Sequence, residues 1–179
     1  MKLHLGCGNK DFGSDWIHID GGDYPHLHSH DIVNLPFEKE TVDLIYACHV
    51  FEYFDRDEAI DVLKEWRRVL KRGATLRLAV PDFEMIASMY FEYGYDLSKF
   101  VGPLYGKIKM GEKTIYHKTV YDFKSLKEML ENNGFVYVEW YNRWKTEHSE
   151  FDDFSAAYIP HMDFENGTCI SLNVEAKKL

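Results

Sequence analysis

Two continuous apolar segments on either side of an amphipathic helical pattern constrain most strongly how this chain folds. Residues 42–47 and 74–80 have the uninterrupted apolar character of strands that are buried on both faces. Between them, Asp55 and Glu58 resemble a capping box, and apolar residues then recur at helical spacing until Gly73. A strand, a helix and a second buried strand predict an α/β fold with a mostly parallel sheet covered on both faces.

The rest of the chain continues this alternation and ends in an antiparallel pair of strands. The helix predicted at 83–93 has Phe83, Ile86, Ala87, Tyr90 and Phe91 on one face, which we expect to be buried. The glycines of the next segment predict an irregular insertion. The further predictions are strands at 2–5, 16–20, 135–141 and 168–176, the insertion at 94–113 and a helix that begins after Asp122 and ends at Gly134.

Length and charge exclude several classes of protein. A chain of 179 residues fits one domain. Its 30 acidic and 21 basic side chains give a net charge of −9, which argues against nucleic acid as the main partner. No apolar stretch is long enough to predict a membrane span, and no signal-peptide pattern precedes the first strand. Three cysteines without a C-x-x-C pair predict reduced thiols and a cytoplasmic location.

Candidate binding residues follow the predicted strands, at the edge where α/β sheets hold ligands. Gly6, Cys7 and Gly8 come directly after the first strand, where glycines allow close approach of a ligand and leave backbone N–H groups free. Asp20 can accept hydrogen bonds from both hydroxyls of a ribose. Asp31 and Ile32 can hold an adenine through one side-chain and one backbone contact. The alternatives are a simple tight turn at the glycines and solvated turn residues at the two acids.

Four segments, at 3–10, 16–20, 31–54 and 65–82, together resemble class I S-adenosylmethionine-dependent methyltransferases. More narrowly, they are similar to small methyltransferases associated with glycan and cell-surface polysaccharide biosynthesis. The later segments at 117–122, 130–135 and 170–176 match more loosely. The close resemblance is carried by L-H-L-G-C-G-N-K at 3–10, W-I-H-I-D at 16–20, the segment 31–54 around V-D-L-I-Y-A-C-H, and E-W-R-R-V-L-K-R-G-A-T-L-R-L-A-V-P-D at 65–82.

The resemblance implies a Rossmann-like doubly wound sheet of seven strands in the order 3-2-1-4-5-7-6, with strand 7 antiparallel. S-adenosylmethionine is the implied cofactor, and a small molecule or a saccharide-linked compound is the implied methyl acceptor. One domain would comprise a cofactor-binding half (1–82), an insertion that contacts the acceptor (83–121) and a C-terminal helix with the antiparallel strands (122–179). The implied cofactor-binding residues are Gly6, Cys7, Gly8, Asn9, Asp20, Gly21, Asp31, Ile32, Cys48 and His49.

The chain departs from the family pattern at two points. Lys10 stands where the third glycine of G-x-G-x-G is usual. Residues 9–15 are too few to hold the first helix between strands 1 and 2, so we expect that helix to be missing or reduced to a turn. A pocket without this wall is more open, or it is completed by a neighbouring subunit, which makes a second copy of the chain a candidate partner.

Methyl transfer to oxygen or nitrogen also calls for a group that accepts a proton. His49, at the end of the predicted strand 42–47, and His117 are the candidate catalytic residues, because the pKa of histidine lies near neutrality. Asp82 and Glu52 are the second choices. A packing or hydrogen-bonding role is the alternative for each histidine.

Other patterns leave further interpretations open. His26, His28 and His30 alternate as ligands on one strand face would, but they lie where a polar loop is expected, so no metal site is predicted. Two Y-x-x-x-K pairs, Tyr95 with Lys99 and Tyr141 with Lys145, suggest a nucleotide-dependent oxidoreductase, although G-x-G-x-x-G is absent. A non-catalytic protein that binds the cofactor is the other alternative. The many aromatic residues between 90 and 144 are divided between core packing and an acceptor pocket.

Overall fold

A computed structural model describes all residues, 1–179, and shows one central sheet of six strands. The strand order is β2-β1-β3-β4-β10-β7. The first four of these strands are parallel, and β10 runs antiparallel to both β4 and β7. The sheet strands are β1 (Lys2–Leu5), β2 (Trp16–Ile19), β3 (Val42–Cys48), β4 (Leu70–Pro81), β7 (Phe135–Trp140) and β10 (Ser171–Lys178).

Four α-helices, four short 3-10 helices and two small hairpins complete the chain. The Asp55 side chain accepts hydrogen bonds from the backbone N–H groups of Asp57 and Glu58, and the Glu58 carboxylate accepts one from the Asp55 N–H, so the predicted capping box is present. The α-helices are α1 (Arg56–Val69), α2 (Phe83–Phe91), α3 (Val101–Tyr105) and α4 (Phe123–Asn132). The hairpins pair β5 (Ile108–Met110) with β6 (Lys113–Ile115) and β8 (Tyr158–Ile159) with β9 (Thr168–Cys169). None of the helices combines the length and the apolar composition that crossing a bilayer requires.

The expectation of seven strands is wrong, because the strand predicted beside β2 is reduced to a single bridge between Ile19 and Ser29. Only His28 and Asp20 form the backbone hydrogen bonds of that pairing, to His18 at 2.8 Å and to Ser29 at 3.3 Å. Apart from Tyr24, Pro25 and Leu27, the segment 21–30 consists of glycine, histidine and other polar residues, so it offers too few apolar side chains to bury a full strand. The order of the other six strands agrees with the family order.

No helix connects β1 to β2, as the short segment predicted, and aromatic side chains cover that face of the sheet instead. Phe12 stacks on Phe151 with ring centroids 4.4 Å apart, and Tyr46 stacks on His148 at 4.0 Å. Because side chains alternate along a strand, the other face carries the aliphatic core beneath α1 and α4. We call the covering set the aromatic layer: His4, Phe12, Trp16, Tyr46, His148 and Phe151.

The predicted buried face of α2 is largely wrong. Ile86 and Met89 are buried, against Phe100 and Ile170, whereas Tyr90 is half-exposed and Phe91 is 82% exposed. The helical spacing fits either stripe of apolar residues, and the position of the following segment decides which stripe is covered. The insertion is also more ordered than expected, since it contains α3 and the β5–β6 hairpin.

Candidate functional site

The turn after β1 requires glycine at two positions. Gly6 and Gly8 have φ values of +65° and +55°, a region that costs other residues energy. A methyl group at Gly6 would also overlap the Val50 side chain. The Lys10 N–H donates to the Cys7 carbonyl at 3.0 Å and closes the turn, so the position of the missing third glycine serves a tight turn here.

Asp20 joins this turn to the end of β2. Its Oδ2 accepts a hydrogen bond from the Gly8 N–H at 2.8 Å, and its Oδ1 accepts one from the Gly22 N–H at 2.7 Å. A carboxylate has about four acceptor positions, so each oxygen keeps capacity for one more donor. Two vicinal hydroxyls match that remaining capacity. The side chain is therefore fixed in place before a ligand arrives.

Of the other predicted cofactor residues, two are held by hydrogen bonds and two are exposed. The Asp31 carboxylate accepts hydrogen bonds from the backbone N–H groups of Val33 and Asn34 and from the Asn34 side chain, and these bonds lower its pKa. The Ile32 carbonyl accepts from the Trp66 indole at 2.8 Å. Asn9 and Gly21 are exposed, and the Met110 side chain of the β5–β6 hairpin lies against Gly21.

Both cysteines of the predicted site are buried. Cys7 is in van der Waals range of His26, with Sγ 3.6 Å from Nε2. Cys48 packs in the aromatic-layer face beside Tyr46, so burial raises the pKa of its thiol. The thiol of Cys48 thus faces the protein interior, and only its backbone is placed to contact a ligand at the strand end.

His49 and His117, the predicted catalytic pair, come together on either side of a buried glutamate. The Glu52 Oε1 lies 3.6 Å from His49 Nδ1 and 3.6 Å from His117 Nε2. Both carboxyl oxygens of Glu52 are buried without a hydrogen-bond partner. His49 follows β3 with a φ of +52°, a strained conformation for a non-glycine residue and one that tends to occur at functional sites. We call these three residues the buried cluster.

The hydrogen bonds around the buried cluster assign the tautomer of His49. The Asn173 Nδ2 donates to the Ser155 carbonyl at 2.8 Å, which turns its Oδ1 toward Ser171. The Ser171 hydroxyl donates to that oxygen at 3.2 Å, so it accepts from His49 Nε2, also at 3.2 Å. Burial lowers the pKa of His49 and favours the neutral ring, in which Nδ1 has no proton and faces Glu52.

A contact with a backbone carbonyl likewise assigns the tautomer of His117. Its Nδ1 lies 3.0 Å from the Pro103 carbonyl, which can only accept, so Nδ1 has the proton and Nε2 faces Glu52 unprotonated. A protonated Glu52 suits two such nitrogens, and burial raises its pKa to about 8. Burial together with the nearby His117 lowers the pKa of His49 to about 3, and burial lowers that of His117. At neutral pH the buried cluster has a protonated carboxyl group between two neutral imidazoles.

The three alternating histidines do not converge on one point. His26 contacts Cys7, the ring of His28 stacks on Phe37 at 5.7 Å, and His30 Nδ1 lies 2.9 Å from the Gly22 carbonyl. The structure contains no group of three or more histidine, cysteine, aspartate or glutamate side chains arranged to hold a metal ion.

Comparison with known proteins gives a consistent result. A family profile described as a methyltransferase domain matches residues 11–78. Demethylmenaquinone methyltransferase of Staphylococcus haemolyticus is 32% identical over 122 residues, which are 62% of this chain and 47% of that protein. A protein of Teredinibacter turnerae named ubiquinone/menaquinone biosynthesis C-methyltransferase is 34% identical over 60% of this chain and 45% of its own length. The chain spans about half the length of these curated relatives.

A solved structure shares the whole fold. The crystal structure of a protein from Methanosarcina mazei described as an S-adenosylmethionine-dependent methyltransferase has a TM-score of 0.60 at 18% identity, over 99% of this chain and 92% of that one. The chain thus resembles class I S-adenosylmethionine-dependent methyltransferases in the profile matched at residues 11–78 and shares the fold of a protein described as one. These matches give the oxidoreductase alternative no support. In one of its two Y-x-x-x-K pairs, Tyr141 packs under Arg77, whereas Lys145 is exposed.

S-adenosylmethionine is the cofactor of the methyltransferases that this chain resembles, and the edge of the sheet suits it. The glycine turn, the fixed Asp20 carboxylate and the end of β3 with His49 follow three adjacent strands. Sequence reasoning missed Ser171 and Asn173, which set the tautomer of His49. They lie 122 and 124 positions further along the chain, and only the pairing of β10 with β4, which opposes Ser171 to Pro81, brings them to the site.

Proposed function

We propose that this chain binds S-adenosylmethionine at the carboxyl edge of its sheet and transfers the methyl group to a small-molecule or saccharide-linked acceptor. The observation that carries the proposal is the Asp20 carboxylate, fixed by Gly8 and Gly22 at the ends of two adjacent strands. The names of the two curated relatives, which concern quinone compounds, support a small-molecule acceptor.

The cofactor residues have separate proposed roles. Asp20 accepts the ribose hydroxyls with its two remaining acceptor positions. Asp31 and Ile32 border the adenine, with the Asp31 carboxylate held in its turn. The backbone of residues 6–9 borders the methionine part, together with Gly21 beside Asp20 and the backbone of Cys48 and His49 at the end of β3.

The cofactor supplies a methyl group already activated by its sulfonium, so the protein contributes mainly by orienting the reactants. His49 and His117 contribute neutral imidazoles at this place. A protonated imidazole there would repel a sulfonium, and their lowered pKa values prevent protonation at neutral pH. Glu52 retains the proton between them.

Calorimetric titration with S-adenosylmethionine tests the proposal. Asp20→Ala removes the carboxylate and should weaken binding by tenfold or more, since a charged acceptor for two hydroxyls contributes about 1.5–3 kcal/mol per hydrogen bond. Asp20→Asn keeps one acceptor oxygen and should lie between the wild type and Asp20→Ala. Asp23→Asn, at an exposed position three residues on, is the matched control.

Two outcomes would contradict the proposal. Unchanged affinity in a folded Asp20→Ala variant would refute the assignment of the ribose site. Tight binding without conversion of S-adenosylmethionine to S-adenosylhomocysteine, in the presence of a panel of hydroxylated acceptors, would favour a non-catalytic binding protein.

A further inference from the structure

A second concave site lies next to the buried cluster, beyond the ends of β4 and β7. It is a cleft of about 380 Å³. Trp140, Trp144 and Tyr158 supply aromatic faces, and Asp82, Ser171 and Asn173 supply polar groups. Ser171 lines the cleft and accepts from His49 Nε2 at 3.2 Å, so a single hydrogen bond joins the cleft wall to the residue that follows β3.

Asp82 is the group in this cleft with spare capacity to accept a proton. Its carboxylate accepts one hydrogen bond, from the Met85 N–H at 3.2 Å, although the residue is only 7% exposed. His49 cannot take that role from the cleft side, because its Nε2 donates to Ser171. The Ser171 hydroxyl proton is in turn directed to Asn173.

The charges around Asp82 raise its affinity for a proton. Burial raises the pKa of Asp82, and the carboxylates of Glu84 on α2 and Asp122 before α4 add to the effect. The other ionisable groups that line the cleft are the thiol of Cys169, the guanidinium of Arg143 and the phenols of Tyr141 and Tyr158. A carboxylate with a raised pKa is a stronger base for a hydroxyl than an ordinary one.

No free cation in the cleft is available to an anionic ligand. Arg143 is buried and already donates to Ser155 Oγ at 3.0 Å and to the Phe151 carbonyl at 2.6 Å. Its guanidinium also lies 3.8 Å from Asp153 and 4.4 Å from the Trp144 ring centroid. The cleft therefore favours a neutral ligand with one flat apolar face and a hydrogen-bond donor.

We propose that this cleft binds the methyl acceptor as a neutral hydroxylated ring, packed on Trp140 and Trp144, with Asp82 accepting the proton of the hydroxyl that is methylated. This inference rests on the proposed function. The ring hydroxyl belongs to a saccharide or to a phenolic compound, which share this chemistry.

The proposed methyl transfer forms one bond, breaks one bond and moves one proton. The acceptor oxygen forms a bond to the methyl carbon while the bond from that carbon to sulfur breaks, and both electrons of the broken bond stay on sulfur. The proton of the hydroxyl passes to Asp82. The products are a methyl ether, S-adenosylhomocysteine and a neutral Asp82, which loses its proton to solvent after release.

Tryptophan indole resonances in nuclear magnetic resonance test binding without any turnover. The chain has four tryptophans. Trp16 and Trp66 are buried, whereas Trp140 and Trp144 are 55% and 48% exposed in or beside the cleft. Trp140→Phe and Trp144→Phe assign the two cleft resonances. The probes are methyl α-D-glucopyranoside and 1,3-dihydroxybenzene, each compared with its fully O-methylated form and with benzoate as an anion.

We expect a hydroxylated probe to shift the Trp140 and Trp144 resonances and leave those of Trp16 and Trp66 unchanged. A response to the glucoside alone assigns a saccharide source, a response to dihydroxybenzene alone assigns a phenolic source, and either supports the cleft. A response to neither probe overturns the inference. Equal affinity for the O-methylated forms, or stronger binding of benzoate, also overturns it.

Asp82→Asn is the decisive variant, because asparagine caps a helix about as well as aspartate and α2 should persist. It should weaken probe binding by about tenfold, as expected for loss of a charge-assisted hydrogen bond. Binding to the wild type should also weaken as acid protonates Asp82, whereas the variant should show no such dependence. Glu92→Gln, which changes an exposed carboxylate at the C-cap of the same helix, should bind as the wild type does. Equal binding by Asp82→Asn would overturn the role of Asp82.

Failure of this inference and failure of the proposed function give different results. If S-adenosylmethionine binds and Asp20→Ala abolishes that binding, but no probe shifts the cleft resonances, only the acceptor assignment is wrong. If the cofactor does not bind, the proposed function fails whatever the probes show.

Discussion

Replacing Glu52 with glutamine should change how the stability of this protein depends on pH. Burial raises the pKa of Glu52 from its ordinary 4.5 to about 8. Between these values the folded state keeps the proton that the unfolded state has lost, so the free energy of unfolding falls as pH rises. At about 1.4 kcal/mol per pH unit, the full effect is roughly 5 kcal/mol and is reached above pH 8. Glutamine has no such proton to lose.

Urea denaturation of the two proteins at about pH 5 and about pH 9 measures this difference. We expect similar stabilities at the lower pH, and a variant that is more stable by roughly 3–5 kcal/mol at the higher pH. The other ionisable groups contribute equally to both proteins and cancel. Glu128→Gln, at an exposed position on α4, is the control and should follow the wild type. Parallel pH dependence of Glu52→Gln and the wild type would refute the assignment of a proton to the buried cluster.

Three further substitutions test the fold around the site by urea denaturation. Gly6→Ala should lower the free energy of unfolding by more than about 1 kcal/mol, because φ is +65° and the new methyl group meets Val50. If adding Val50→Ala recovers none of the stability lost by Gly6→Ala, the overlap with Val50 does not contribute to that loss. Asp55→Ala removes the N-cap of α1 and should cost about 1 kcal/mol, and no loss would show that the capping box contributes little. Phe12→Ala should cost about 3–5 kcal/mol if the aromatic layer is a true core, and Phe12→Leu clearly less.

The sequence predicts well those features that depend on neighbouring residues. The bounds of β1, the capping box of α1 and the glycine turn all follow from local patterns, and the structure has them. The glutamate between the predicted catalytic histidines was only a second choice, because nothing in the spacing of 49, 52 and 117 shows that His117 returns to the end of β3.

The errors arise where distant parts of the chain decide the outcome. Tyr90 and Phe91 fit a buried helical stripe as well as Ile86 and Met89 do, and the packing of Phe100 and Ile170 selects the second stripe. The strand expected beside β2 is implied by the family order alone. Residues 21–30 have too few apolar side chains to form it, and the structure has a single bridge there. Ser171 and Asn173 reach His49 through the register of an antiparallel pair that the sequence does not specify.

The aromatic layer has a consequence for the synthesis of the protein on the ribosome. Phe12 follows the glycine turn by four residues, yet its stacking partner Phe151 is made after most of the chain. Residues 1–82 therefore leave the ribosome with one face of their sheet uncovered. A nascent chain that ends before His148 should therefore expose the rings of Phe12 and Tyr46, although it already contains every residue predicted for the cofactor site.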